Sequence, residues 1–178
     1  RLDPRHAGSY LEMALVQTMS GNWAKSEAYF KQSLEADPND PDTLNFYSVT
    51  LSNLGRLKDA LVMRERLRTV EPFLPTYNIT TAGIMQLNGQ GAASIPILEP
   101  IPPDAAGGIR RSVYLARAYA EAGRYAAAAD TLQLIASTAI SRKSVEDAAR
   151  LLRVAPAKSA SPQSRPVLED LLNFVYVY

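Results

Sequence analysis

Four glycines recur at one fixed interval along the chain. Gly21, Gly55, Gly89 and Gly123 are each separated by 34 residues. A repeat of this length is typical of a two-helix unit that stacks on copies of itself, so that every unit buries its apolar face against its neighbours. The interval therefore predicts an all-α array of helix pairs.

Prolines keep the same interval as the glycines. Pro4, Pro38 and Pro72 also lie 34 residues apart, and each follows an acidic residue. Proline cannot continue a helix and restricts the residue before it, so each acidic residue and proline together predict the end of a second helix. A single array over residues 1–178 is expected. Its predicted repeats are residues 7–40, 41–74, 75–108 and 109–142.

The third predicted repeat is degenerate. Gly91 stands where the other repeats begin their second helix with a bulky residue, and Pro96 lies inside the expected helix. Three more prolines follow before residue 104. We expect a short helix near residues 92–99 and then an irregular loop to about residue 107.

Residues 143–178 are expected to form a degenerate helical end. Ser144, with Asp147 three residues later, predicts the capped start of a helix over about residues 144–154. A last helix is expected from near Arg165, and the sequence closes on the apolar aromatic residues 173–178. Two explanations of this ending stay open: the sequence is a fragment of a longer protein, or the aromatic residues pack across a symmetric dimer.

Small and large residues recur at fixed places inside the repeats. The small ones are Ala14, Ser48, Ala82 and Ala116 in first helices, and Ser26, Ala60 and Ala128 in second helices. The large ones in second helices include Trp23, Leu57 and Tyr125 at the start, then Phe30, Leu67, Leu132 and Ile135. The pattern resembles the tetratricopeptide repeat (TPR). The resemblance implies a TPR solenoid, which is a right-handed superhelix of antiparallel helix pairs.

Arg64 departs from this pattern, because it takes the place that Phe30 has in the first repeat. Two expectations stay open for it: the side chain extends along its apolar stem to reach water, or the packing there is loose.

In the family that the chain resembles, the first helices of successive repeats line a concave groove that holds a peptide or a partner helix. Transferred by position, the resemblance implies a groove at Leu11, Leu15, Asn45, Val49, Ile79, Val113 and Arg117. This wall suits an amphipathic helix or an extended segment with apolar anchors. For Leu11 and Leu15, packing against a preceding repeat stays open as an alternative.

Four cations gather in the fourth repeat: Arg110, Arg111, Arg117 and Arg124. They predict either a local site for an acidic partner or a solvated face. The lysine, asparagine and arginine with which some family members hold a chaperone's acidic carboxyl terminus have no matching set here. Chaperone-tail binding is therefore not expected.

Composition and motifs argue against catalysis. The chain has no cysteine, and His6 is its one histidine, so neither a multi-histidine metal site nor a Ser-His-Asp arrangement is expected. No glycine-rich stretch is followed by the Lys-Ser or Lys-Thr pair of a phosphate loop. With 19 basic and 18 acidic residues, the charge of +1 gives no field to attract nucleic acid or anionic lipid. We expect no enzyme, cofactor, metal, nucleic acid or membrane partner.

The sequence thus predicts a non-catalytic scaffold for protein–protein interaction. Residues 118–125 and 151–156 are loosely similar to the repeat tails of bacterial multidomain regulators, including those fused to cyclase or DNA-binding modules. That similarity implies a cytoplasmic regulatory or signalling protein with a protein or peptide partner. The alternative is a self-assembling structural or envelope-assembly scaffold that forms a homodimer through its terminal helices.

Overall fold

The structure, a computed structural model, describes residues 6–135 and 141–155. Over these two ranges the regular secondary structure is entirely helical, as predicted. The elements are α1 (Ala7–Met19), α2 (Trp23–Ala36), α3 (Pro41–Asn53), α4 (Leu57–Val70), α5 (Pro75–Leu87), a 3₁₀ turn (Ala92–Ser94), α6 (Ile95–Leu98), α7 (Gly108–Glu121), α8 (Tyr125–Gln133) and α9 (Arg142–Val154). None of the helices in the described ranges combines the length and the apolar character needed to cross a bilayer.

The chain divides into two compact units, residues 1–77 and 78–178. Unit 1 contains the helix pairs α1–α2 and α3–α4, and unit 2 contains α6 to α9. Helix α5 begins in unit 1 and continues into unit 2. The single array over residues 1–178 stays a prediction.

Each first helix turns into the next segment at one of the periodic glycines. Gly21, Gly55, Gly89 and Gly123 have φ of 72°, 74°, 74° and 74°. Glycine enters this left-handed region at little steric cost. The four φ values therefore confirm the predicted helix ends. At the first corner, the Gly21 amide donates to the Thr18 carbonyl at 3.0 Å and the Asn22 amide donates to the Gln17 carbonyl at 2.9 Å. The same two bonds close the other three corners and satisfy carbonyls that a helix end leaves open.

Local sequence also sets the boundary between the first two repeats. Helix α2 ends at Ala36, two residues before the predicted stop at Pro38. Helix α3 then begins at Pro41, which suits a first turn because it has no amide hydrogen to leave unpaired. Asp40 caps this helix by accepting the Thr43 amide at 2.8 Å.

In unit 1 the small residues of the repeat pattern are buried where helices meet. Ala14, Ser26, Ser48 and Ala60 have no exposed surface. Phe30 is also fully buried, and its ring stacks on Tyr47 with the ring centroids 5.0 Å apart. Trp23 is 44% exposed and lies at the edge of this core. The small positions and Phe30 therefore confirm the pattern, while Trp23 contributes less packing than a buried anchor.

Unit 2 has its own apolar core. Its larger buried members are Leu98, Ile101, Leu115, Tyr119, Leu132, Ile135 and Val145. The small residues Ala82, Ala116 and Ala128 lie in the same cluster. The predicted small and large positions of the fourth repeat are thus buried together, except Tyr125, which is half-buried.

The third repeat has lost most of its second helix. A 3₁₀ turn and the four-residue α6 stand in its place, as the prolines predict. Helix α7 holds this segment through Arg111, which donates from Nε to the Leu98 carbonyl at 3.2 Å and from Nη2 to the Glu99 carbonyl at 3.4 Å. A cation at the carboxyl end of a helix also interacts favourably with the helix dipole. The Tyr119 hydroxyl adds a bond to the Glu99 carboxylate at 2.7 Å.

Helix α9 confirms the helix predicted near residues 144–154 and corrects its start. The helix begins at Arg142, so Ser141 takes the cap position and Ser144 lies in the first turn. Val145, Ala148 and Ala149 are buried. The last helix expected from near residue 165 and the aromatic ending lie outside the described residues.

Candidate functional site

Three predicted groove residues of unit 1 keep exposed surface on helices that touch each other. Leu15 is half-buried on α1, and Asn45 and Val49 are half-buried one turn apart on α3. Helices α1 and α3 are in contact. Leu15, Asn45 and Val49, called the unit 1 face below, therefore offer apolar surface beside one amide. Leu11, predicted for the same wall, is only 8% exposed and packs in the core.

In unit 2 the predicted groove residues differ in exposure. Ile79 and Val113 are 1% and 3% exposed and belong to the apolar core, so they present almost no surface to a partner. Gly83 shows how closely α5 and α7 pack, because a Cβ built on it would lie 2.9 Å from the Tyr114 ring. This close packing buries the apolar side chains between the two helices. Arg117 remains exposed on α7.

Of Arg110, Arg111, Arg117 and Arg124 in the fourth repeat, two bond to other groups and two have no such bond in the part of the chain that the structure describes. Arg111 is 6% exposed and bonds to backbone carbonyls, and burial lowers the pKa of its guanidinium while Tyr119 and Glu99 oppose that shift. Arg124 lies over the Tyr119 ring, 4.2 Å from its centroid, and 3.5 Å from the Glu99 carboxylate. Arg117 and Arg110 are the cations of this group that remain for an acidic partner.

Arg64 is the most unusual side chain of unit 1. It has no exposed surface, so the expectation that it extends to water is wrong. Its Nη1 donates to the Asn45 Oδ1 at 2.8 Å, and its Nε and Nη2 have no hydrogen-bond partner among the described residues. Burial lowers the pKa of Arg64 to about 10, which still leaves the guanidinium charged near neutral pH.

Tyr77 interacts electrostatically with this arginine and is bonded to Asp42. The Tyr77 hydroxyl donates to the Asp42 Oδ1 at 2.8 Å. Burial, followed by this hydrogen bond and the charge of Asp42, raises the pKa of Tyr77 to about 12, so its hydroxyl stays a donor. Tyr77 also opposes the fall in the pKa of Arg64. The Asp42 carboxylate is therefore engaged with the phenol.

A polar network ties the second helix of repeat one to repeat two. Glu27 accepts the Tyr47 hydroxyl at 3.0 Å and Arg56 Nη1 at 2.8 Å, and it lies 3.0 Å from Lys31 Nζ. The bond from Lys31 contributes most to lowering the pKa of Glu27, with burial opposing it and Tyr47 and Arg56 adding to it. The network is a structural feature of unit 1.

The histidine of the chain has a local structural role. His6 precedes α1, and its Nδ1 accepts the Gly8 amide at 3.3 Å, so it serves as a helix cap. Within residues 6–135 and 141–155, no three histidine, cysteine or acidic side chains come together as a metal site would require. The described surface therefore presents apolar side chains, an amide and arginines to a partner.

Comparison with known proteins adds the class of the fold. No protein-family model matches the sequence, and no curated protein matches it. A structure of MamA from Desulfovibrio magneticus RS-1 is similar, with a TM-score of 0.74 over 98% of this chain and 95% of that one, at 15% identity. A MamA RS-1 double mutant gives 0.75 over 98% and 96%, at 14% identity. YrrB, described as a TPR protein with an unusual peptide-binding site, gives 0.74 over 97% and 88%, at 11% identity.

These likenesses place the chain among all-α helical-repeat proteins. More specifically, the chain has the TPR fold, which confirms the resemblance seen in its glycines and small residues.

Proposed function

We propose that this chain is a non-catalytic scaffold that binds a peptide or a helix of a partner protein along the first helices of its repeats. The unit 1 face is the observation that carries the proposal, because Leu15 and Val49 offer apolar surface beside the Asn45 amide. Apolar anchors combined with a few fixed polar groups are typical of peptide recognition. The peptide-binding site described for YrrB supports the same use of this fold here.

Unit 2 carries a cationic surface of its own. Arg117 is exposed, and Arg110 lies seven residues earlier on the same side of α7. An acidic residue of the partner would pair with this side. Because such contacts are screened by salt, Arg117→Glu should weaken binding and reduce its dependence on ionic strength.

The proposal includes the kind of protein in which this scaffold acts. The loose similarity of residues 118–125 and 151–156 to bacterial regulators supports a setting in a cytoplasmic regulatory or signalling protein. There the scaffold would receive a protein partner while another part of the assembly carries out the regulated reaction.

A peptide selection on the purified chain tests the proposal. A displayed library of 12-residue peptides is selected on the 178-residue chain, and enriched peptides are measured by fluorescence anisotropy. We expect enriched peptides with apolar anchors, and we expect Val49→Arg to weaken their binding at least tenfold. Arg68→Glu, which changes an exposed residue of α4, is the control and should leave binding unchanged.

Two results would contradict the proposal. One is a selection without enrichment. The other is enrichment of peptides that bind the Val49→Arg variant as tightly as the original chain. Light scattering on the same sample checks the competing function, since a stable dimer that excludes the enriched peptides would favour self-assembly.

A further inference from the structure

The buried guanidinium of Arg64, in the core of unit 1, has no carboxylate partner among the described residues. Phe30 fills the corresponding place in the first repeat and is fully buried. In the second repeat Arg64 is buried to the same degree, with Nε and Nη2 lacking hydrogen-bond partners among the described residues. Unpaired buried donors and an uncompensated charge lower the stability of a fold. An apolar side chain would serve packing alone better, so the arginine points to a use outside packing.

The contact between Arg64 and Asn45 connects this charge to the unit 1 face. Arg64 Nη1 donates a hydrogen bond to the Asn45 Oδ1 at 2.8 Å. The amide group is thereby oriented, and its Nδ2, with two hydrogen atoms to donate, is the end available to a ligand. Asn45 is half-buried, whereas the guanidinium behind it is shielded from water. A positive charge shielded in this way acts more strongly on a nearby anion than an exposed one does.

We propose that Asn45 and Arg64 form a subsite for the carboxylate of an acidic side chain in the bound peptide, with Asn45 donating from Nδ2 and Arg64 orienting the amide and supplying the charge. This inference rests on the proposed function, since it assigns the chemistry of the partner at the unit 1 face. Arg64 is a positioning residue here, because it acts through Asn45.

The acidic residue of α3 is bonded to a phenol and does not pair with Arg64. Asp42 lies one turn before Asn45 on α3, and its Oδ1 accepts the Tyr77 hydroxyl at 2.8 Å. The hydrogen-bond partner of Arg64 among the described residues is the neutral Asn45 amide, while its Nε and Nη2 have none there. The charge of Arg64 is therefore available to a ligand.

The position on the helix favours a side chain over a chain terminus. Val49 lies one turn after Asn45, and Asp42 lies one turn before it. A bound segment thus has surface to follow in both directions from the amide. A residue inside the segment, such as glutamate, fits this arrangement.

Three matched peptide pools test the assignment on the full 178-residue chain. All are acetylated ten-residue peptides with apolar anchors. The first has a central Glu and an amidated carboxyl end, the second a central Gln and an amidated end, and the third a central Gln and a free carboxyl end. Binding is measured by fluorescence anisotropy. We expect the Glu pool to bind about tenfold more tightly than the amidated Gln pool. One well-placed charged hydrogen bond changes a dissociation constant by about this factor.

Three variants connect that ratio to the subsite. Asn45→Asp places a carboxylate against Arg64 and should abolish the preference for Glu while leaving the helical content unchanged. Arg64→Met should reduce the preference to about twofold, and Arg64→Lys should restore part of it. Arg68→Met removes an exposed charge from the same helix and should leave the ratio unchanged.

Each outcome has one meaning. Equal binding of the Glu and the amidated Gln pools refutes the subsite while peptide binding stands. Tighter binding of the free-carboxyl pool refutes the side-chain assignment. A Glu preference that survives both Asn45→Asp and Arg64→Met refutes the role of these two residues. If no pool binds, the proposed function fails together with this inference.

Discussion

Replacement of Tyr119 tests whether the fourth repeat and the reduced third repeat stabilise each other. Tyr119 is 8% exposed in the core of unit 2, and its hydroxyl donates to Glu99 at 2.7 Å. Its ring also supports the Arg124 guanidinium at 4.2 Å. Tyr119→Ala removes three contributions at once: the buried ring, the hydrogen bond and the cation–π contact.

The expected magnitude follows mainly from the ring. Truncating a large buried aromatic side chain to alanine costs about 3–5 kcal/mol. The hydrogen bond and the cation–π contact add less, because the side chains of Glu99 and Arg124 are 46% and 51% exposed. Tyr119→Phe, which removes the hydroxyl alone, should therefore cost only about 1 kcal/mol.

Urea unfolding followed by far-ultraviolet circular dichroism measures these differences. Tyr125→Ala, at a half-buried position on α8, is the matched control and should cost clearly less than Tyr119→Ala. A loss below about 1 kcal/mol for Tyr119→Ala would refute the assignment of this residue to the core. Equal losses for Tyr119→Phe and Tyr119→Ala would show that the hydroxyl, and not the ring, matters.

Other substitutions separate packing, charge and backbone effects by the same unfolding assay. Arg64→Met should raise the free energy of unfolding by about 1–3 kcal/mol, because it removes unpaired buried donors, and a loss of stability would contradict this account. Gly108→Ala should cost about 1–3 kcal/mol or more, since a Cβ there would meet the Pro103 carbonyl at 1.8 Å, whereas Gly91→Ala should cost less because its obstacle is a movable side-chain end. The folded-state pKa of Glu27 is lowered, so its contribution to the free energy of unfolding is present above the ordinary value of 4.5 and is lost as the pH falls through the folded-state value. Glu27→Gln should therefore reduce the loss of stability on acidification. An unchanged loss would exclude Glu27 as its source.

Corners and interruptions of helices were predictable because their causes are local. A glycine at a helix end adopts a positive φ at little steric cost, which is why four positions predicted the ends of the first helices. Pro96 and the prolines after it likewise limited α6 to four residues. The capping of α9 was less predictable, because Ser141 and Ser144 are both acceptable cap residues and the helix began at the earlier one.

Burial of individual side chains was less predictable, because it depends on the neighbouring helix. Ile79 and Val113 belong to the positions that the resemblance assigned to a groove, yet close packing of α5 and α7 buries both. Arg64 was expected to extend to water or to pack loosely, since the sequence gives its residue type and not the depth of its surroundings. Asn45, nineteen residues earlier, was the available signal, because an amide on the facing helix is a partner for a buried arginine.

The identical corners have a consequence for how such a chain can change its length. Gly55 and Gly89 carry the same φ of 74° and close the same two backbone bonds. A gene duplication that copies the segment from one corner to the next would therefore join at a turn that already fits. A copied segment one residue shorter or longer than this interval would place a side chain where the backbone needs glycine. Growth by whole segments therefore introduces the least backbone strain.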